Sequence, residues 1–150
     1  MKDKEVYSKM AAMCSKQEYC IDDIQKKLDK YELSNTSKQD IISALQKENF
    51  LNEERYATAF VRDKFLFNKW GKVKISYHLK IKHITGEIIN TALDSINETD
   101  YFQIARTLAS QKMKQMKLSK LDYTHKQKVM RFLFQRGFES NIINTIVDEL

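Results

Sequence analysis

The 150-residue chain contains no proline and only three glycines, Gly71, Gly86 and Gly137. Strands, tight turns and flexible linkers rely on those two residue types, so their scarcity favours helices from the outset. Cysteine is equally sparse. Cys14 and Cys20 lie near each other and could meet, but no other feature points to an oxidising compartment, and a cysteine also serves as a small buried apolar residue. No run of about 18 apolar residues occurs, and the opening Met1-Lys-Asp-Lys-Glu-Val offers no apolar stretch for a signal peptide, so a soluble, cytoplasmic protein with no membrane contact is expected. A phosphate-binding glycine loop is missing. His78 and His83 stand five apart, on different helix faces, and His125 is remote, so neither a metal site nor a nucleophilic triad is assembled. An enzyme is disfavoured, and no cofactor is expected.

The length is sufficient to bury a core, but only as one compact domain or a few small stacked units. The net charge of +6 is unevenly placed. Residues 1–50 carry nine basic and nine acidic side chains, residues 51–98 eight against six, and residues 99–150 nine against five. Within this excess, Arg55 to Lys82 holds eight basic residues against Asp63 alone, and Arg106 to Arg136 holds nine against Asp122 alone. Each stretch is a candidate polyanion-facing surface.

Helical periodicity runs along most of the chain, as in Ile21, Ile24, Leu28 and Tyr31, and no segment alternates as a strand. Ser15 with Glu18 reads as a capping box, Ser37 with Asp40 as a second helix start, and Gly71 and Gly137 as left-handed helix ends. An internal repeat organises these elements. Ile88-Ile89-Asn90-Thr91 recurs as Ile142-Ile143-Asn144-Thr145, 54 residues later, and Ile75, Leu79 and Ile84 match Val129, Leu133 and Phe138 at the same spacing. Ile24, Leu28 and Leu33, followed by Ala44 and Leu45, supply a first copy with about three extra residues around Asn35.

The expected architecture is therefore all-α: three tandem three-helix repeats over residues 1–50, 51–98 and 99–150, with the helices at roughly 3–14, 16–31 and 38–49, then 53–70, 73–83 and 86–97, then 100–117, 122–136 and 139–150. Ile88, Ile89, Ala92, Leu93 and Ile96, and likewise Ile142, Ile143, Ile146, Val147 and Leu150, form core stripes. Units this small bury too little alone, so they should pack in series into an elongated, curved array, right- or left-handed with the hand not assigned.

The block Phe50-Leu51-Asn52-Glu53-Glu54-Arg55-Tyr56-Ala57, then Lys69-Trp70-Gly71, Ile75, Leu79, Lys82 and Ile84, and finally Arg136-Gly137-Phe138, resembles the RecX family over nearly the whole chain. His83 departs from it, standing where a glycine is common. The resemblance implies a regulator that binds RecA recombinase filaments and also single- and double-stranded DNA, restraining recombination and RecA-dependent ATP hydrolysis in DNA repair and the SOS response. The residues also allow a plainer reading: Asn52 as a helix N-cap, Glu53 and Glu54 favoured by the helix dipole, Ala57 and Phe60 as core, and Arg55 as a bridge either to the neighbours of Glu54 or to the preceding unit.

For contact with phosphates or an acidic groove, the second copy offers Lys69, Lys72, Lys74, Lys80 and Lys82, with Trp70 as a stacking or packing residue. The third offers Lys112, Lys114, Lys117, Lys120, Lys126, Lys128, Arg131 and Arg136. Any single lysine among them also fits an ordinary solvated helix face. Tyr77 and Tyr123 interleave with the cations and fit either base stacking or helix packing. Three non-catalytic roles compete: a monomeric modulator of a RecA filament, a helical DNA-binding protein without a protein partner, and a structural repeat adaptor.

Overall fold

The computed structural model describes residues 2–117 and 122–150. Every regular element among them is an α-helix: α1 (Lys2–Lys16), α2 (Ile21–Leu28), α3 (Asn35–Lys47), α4 (Glu53–Leu66), α5 (Lys72–Ile81), α6 (Gly86–Asp94), α7 (Glu98–Gln115), α8 (Tyr123–Gln135) and α9 (Ser140–Asp148). The order is three trios of helices, as the repeat predicts. No helix among the described residues is long and apolar enough to cross a membrane.

Two expected helix starts move. Ser15 lies inside α1, where its hydroxyl donates to the Ala12 carbonyl (2.7 Å), and α2 instead begins after Cys20, whose N–H donates to the Asp23 carboxylate (3.3 Å). Ser37 lies in the first turn of α3, and the cap is Ser34, which accepts from the Ser37 N–H at 3.1 Å. Asn52, Thr85, Asn97 and Asp122 cap α4, α6, α7 and α8 in the same manner, each side-chain oxygen taking one of the donors a helix start leaves unpaired.

Helix ends follow one design with unusual residues. Asn49, His83 and Gly137 have positive φ (62°, 62° and 95°), and the residue after each donates its N–H five positions back: Phe50 to Leu45, Ile84 to Leu79, Phe138 to Leu133. This is the left-handed helix stop that glycine adopts without steric cost. Lys69 (56°) and Lys117 (57°) also adopt it after α4 and α7. Gly71, expected to be left-handed, instead has φ −78° and caps α5; the left-handed residue is Lys69, and Gly71 is required for another reason.

The N-caps Ser34 and Thr85 keep the 51-residue offset of Leu28 and Leu79, so no residues are inserted around Asn35. The extra length lies at the far end of α3, which has 13 residues against 9 in α6. Ile41 and Ile42 are buried in α3, whereas Ala44 is only partly buried and Leu45 is fully so.

Two apolar cores result. One gathers Val6, Met10, Cys14, Ile24, Leu28, Ile42, Leu45 and Leu51 within the first trio. The other is shared by the second and third trios, with Cys20 reaching in from the first, and runs from Val61, Ile75 and Leu79 to Leu133, Phe138 and Ile146, with Phe65, Tyr101 and Phe138 in ring contact across the seam (5.8 and 5.2 Å between centroids). The expected stripes of α6 and α9 are core, apart from half-buried Ile88 and Leu93 and exposed Leu150. Both cysteines are buried and unbridged; burial pushes the Cys20 thiol up to about 12.

The two seams differ in kind. Between the second and third trios, Gly71 N–H donates to the Arg136 carbonyl (2.7 Å) and Val73 N–H to the Gly137 carbonyl (2.9 Å). A Cβ on Gly71 would lie 2.3 Å from the Gly137 carbonyl carbon, and one on Gly137 would lie 2.3 Å from Lys74 Cβ, so the close approach itself demands both glycines. Between the first and second trios the polar contacts are Arg55 to Glu18 and Lys82 to Asp23, both at 2.6 Å, and the Glu53 carboxylate accepting from Ile21 N–H at 3.1 Å, while Cys20 of the first trio is the one fully buried side chain that crosses into the second core. Burial opposes ionisation of Asp23, but hydrogen bonds from Lys82 and Cys20 outweigh it and hold the carboxyl below its usual range. At Glu53 burial, helped by the nearby Asp22 and Asp23 carboxylates, outweighs the single hydrogen bond from Ile21 N–H and pushes the carboxyl up.

Candidate functional site

The second-trio candidates divide according to what each side chain already touches. Lys69 closes α4, its ammonium donating to the Leu66 carbonyl at 3.2 Å. Trp70 is half-buried, with the Lys64 and Lys74 ammoniums 5.0 and 4.6 Å from its ring centroid and the His78 ring 4.7 Å away. Its π surface is thus engaged within the chain, an arrangement that desolvates cations against an aromatic face. Burial and the two neighbouring ammoniums hold His78 below its ordinary pKa. Lys72 lies over the Tyr101 ring (5.0 Å), while its N–H donates to the Tyr101 hydroxyl at 2.8 Å. That hydroxyl donates onward to Glu139, and burial together with this bond raises the phenol's pKa. Lys82 forms the ionic seam with Asp23. Lys80 is exposed and makes no side-chain hydrogen bond or ion pair among the described residues.

In the third trio, Lys112 lies over the Phe132 ring (5.3 Å) and Arg136 reaches back to the Asn68 carbonyl, its Nε buried and unpartnered. Arg136 therefore ties α8 to the end of α4. Lys114, Lys117, Lys128 and Arg131 are exposed and Lys126 is half-buried, all without an ion pair among the described residues. Lys120 lies outside the described residues. Of the thirteen described candidates, Lys82 alone is ion-paired. Tyr77 and Tyr123 are well exposed (61% and 77%).

On α5 the structure groups Lys72 with Lys80 along a groove against α6 that also includes Val73, Ser76, Tyr77 and Leu93. A second groove, between α8 and α9, holds Gln127, Met130, Arg131, Phe134, Ile143 and Asn144. Phe134, 67% exposed, was not expected as a surface residue; its place among the apolar positions of α8 conceals it. Tyr101, Glu139 and Asn68 were also missed, since their roles depend on a seam that joins residues far apart in sequence. Their residue types carry no signal of it.

The histidines do no shared work. His78 packs on Trp70, His83 stands 3.8 Å from Asp22, and His125 pairs at 2.7 Å with Asp122, the cap of its own helix. Among the described residues no cluster of three or more metal-ligating side chains forms.

Comparison with known proteins places the chain. The second three-helix domain of RecX matches residues 52–93, and the third matches residues 98–147. The regulatory protein RecX of Clostridium botulinum strain Eklund 17B is 33% identical over 109 residues, 72% of this chain and 50% of that protein. RecX of Clostridium perfringens strain 13 is 33% identical over 73% of this chain and 51% of its own length, so the chain spans about half of these clostridial relatives. The RecX of Actinobacillus pleuropneumoniae serotype 5b is 29% identical over 91% of this chain and 86% of its own. Among solved structures, RecX from Lactobacillus salivarius superposes with a TM-score of 0.89 at 23% identity, covering 99% of this chain and 96% of that one, which shows the fold. A second RecX crystal structure gives 0.86 at 25% identity over 97% of this chain and 71% of that one. With two of its three helical trios matched in order by RecX domains, and with the same fold throughout, the chain belongs to the RecX family of regulatory proteins.

Proposed function

We propose that this protein is a non-enzymatic, cytoplasmic, monomeric modulator of the RecA–DNA filament, built of units at residues 1–50, 51–98 and 99–150, that restrains RecA-dependent ATP hydrolysis and strand exchange. The observation that supports this reading is the state of its cations. The two trios that match RecX domains also carry the basic excess, and Lys80, Lys114, Lys117, Lys126, Lys128 and Arg131 have no acidic partner among the described residues. Cations free of internal partners retain their full charge for an external polyanion.

The test is ATP hydrolysis by RecA of the same organism on single-stranded DNA at physiological salt, with this protein titrated in. A variant with Lys126, Lys128 and Arg131 changed to Glu serves as control. Inhibition by the wild type that the variant loses supports the proposal. No inhibition, even well above the recombinase concentration, refutes it and leaves direct DNA binding, which a salt titration without RecA would reveal.

A further inference from the structure

The α5/α6 and α8/α9 grooves repeat one wall, that of α5 and α8, whereas the opposite walls, Leu93 on α6 and Ser140, Ile143 and Asn144 on α9, do not correspond. Val73, Ser76, Tyr77 and Lys80 line the first, and Gln127, Met130, Arg131 and Phe134, each 54 residues further on, line the second. Their volumes are similar, about 420 and 390 Å³. Most of the chemistry is not shared between them. Where the first groove is apolar at Val73, the second has Gln127, and Ser76 is replaced by Met130. What persists is one exposed aromatic ring and one unpaired cation three positions apart on the same helix face: Tyr77 with Lys80, then Arg131 with Phe134, in reversed order. Neither groove is lined by a carboxylate.

The first trio shows the same positions without this pair. Fifty-one residues before Tyr77 and Lys80 stand Lys26 and Asp29, with no aromatic ring. Lys26 is paired with Asp22 at 3.0 Å and Asp29 with Lys38 at 2.9 Å, so this face is neutralised within the chain.

An exposed ring beside an unpaired cation suits a ligand that alternates flat, apolar faces with negative charge, and an unstacked polynucleotide strand has that composition at every residue. An amphipathic acidic peptide would need a continuous apolar strip, which Gln127, Ser140 and Asn144 interrupt in the second groove. We infer that the two grooves are equivalent subsites for single-stranded nucleic acid, each stacking an unpaired base on Tyr77 or Phe134 and holding the adjoining phosphate with Lys80 or Arg131, while the first trio has no such subsite. This assignment rests on the filament-modulator reading in taking DNA as the ligand, but it is tested without RecA.

Binding of a fluorescent oligothymidine to the full chain would be followed by anisotropy across a salt series. The double variant Tyr77→Ala/Phe134→Ala should weaken binding on the order of tenfold per ring lost, with the salt slope unchanged. Lys80→Gln/Arg131→Gln should lower that slope by roughly 0.7 per cation removed. The swap Tyr77→Phe/Phe134→Tyr should bind as the wild type does, which separates loss of stacking from loss of fold, and an abasic strand should bind the wild type as weakly as the alanine pair binds oligothymidine. Wild-type affinity in the alanine pair, or equal affinity for the abasic strand, overturns the assignment. If the alanine pair keeps the oligonucleotide but no longer inhibits RecA ATP hydrolysis, the grooves hold a protein segment: the subsites fall and the filament reading stands. If the wild type binds the oligonucleotide through its rings yet leaves RecA unaffected, the subsites stand and the filament reading falls.

Discussion

Replacing Gly71 with alanine adds one carbon at a helix N-cap whose φ of −78° any residue tolerates, so backbone strain contributes nothing. The damage is steric and arises across the seam. The new Cβ would lie 2.3 Å from both the carbon and the oxygen of the Gly137 carbonyl and 2.5 Å from Phe138 N, all backbone atoms that cannot rotate away. Relief requires the second and third trios to separate, which breaks the bonds from Gly71 N–H to Arg136 and from Val73 N–H to Gly137. At about 1 kcal/mol net for each bond, and a further 1–3 kcal/mol for a donor left unpaired, the loss is about 3–5 kcal/mol. That is a large part of the stability of a protein this size. Gly86→Ala is the internal control, because a Cβ there meets nothing within 4 Å. Urea unfolding followed by far-ultraviolet circular dichroism would compare the two. A Gly71→Ala unfolding free energy within about 0.5 kcal/mol of that of Gly86→Ala would refute the close-approach argument.

Three further outcomes are expected. Lys69→Gly and His83→Gly should each raise stability by about 0.5–1 kcal/mol, since both side chains occupy a left-handed conformation that disfavours a Cβ; unchanged or lower urea midpoints would count against this. Lys82→Ala should cost on the order of 1 kcal/mol at pH 7, because it strips a half-buried pair. Since the folded-state pKa of Asp23 is depressed, the pair's contribution is present above the ordinary carboxylate range and disappears as pH falls through and below it, so wild type and Lys82→Ala should converge in acid unfolding. His78 is likewise depressed when folded: stability should fall as pH drops below about 6.5, where the unfolded histidine takes up its proton first, and His78→Phe should flatten that limb of the pH profile.

The helical trios were legible because their apolar frame repeats at a fixed distance, and a core needs that frame at every copy. Asn52, as a cap, was equally plain, whereas for Arg55 the sequence left two bridges open, and the packing of the trios selects the one to Glu18 of the preceding unit. The misread starts share a cause. Ser15 and Ser37 each precede an acidic residue at capping distance, but packing of α1 through Lys16 and of Ile41 and Ile42 onto the core sets where the helices begin, leaving Cys20, a poor cap, and Ser34 at the boundaries. Gly71 is conspicuous in sequence by its type, but what requires it is a close approach to a chain segment 66 residues away, which leaves no local trace. For the same reason the basic residues could be named but not sorted. Lys82 and Arg136 look like Lys80 and Arg131 in sequence, and only the packing of the trios shows which pair is already committed.

The contrast between the two seams sets how the chain should come apart. In a stacked array, stability divides into the strength of each unit and its coupling to the next. Here the coupling is strong where a core and backbone bonds are shared, and weaker where two ion pairs and the single buried side chain of Cys20 join the first trio to the rest. Amide protons of α1 to α3 should therefore exchange through an opening of their own, hastened by salt, while those of α4 to α9 are released together in one cooperative event. The molecule is in this sense a two-trio block carrying an arm on an electrostatic joint, and the ionic strength around it acts as the adjustment on that joint.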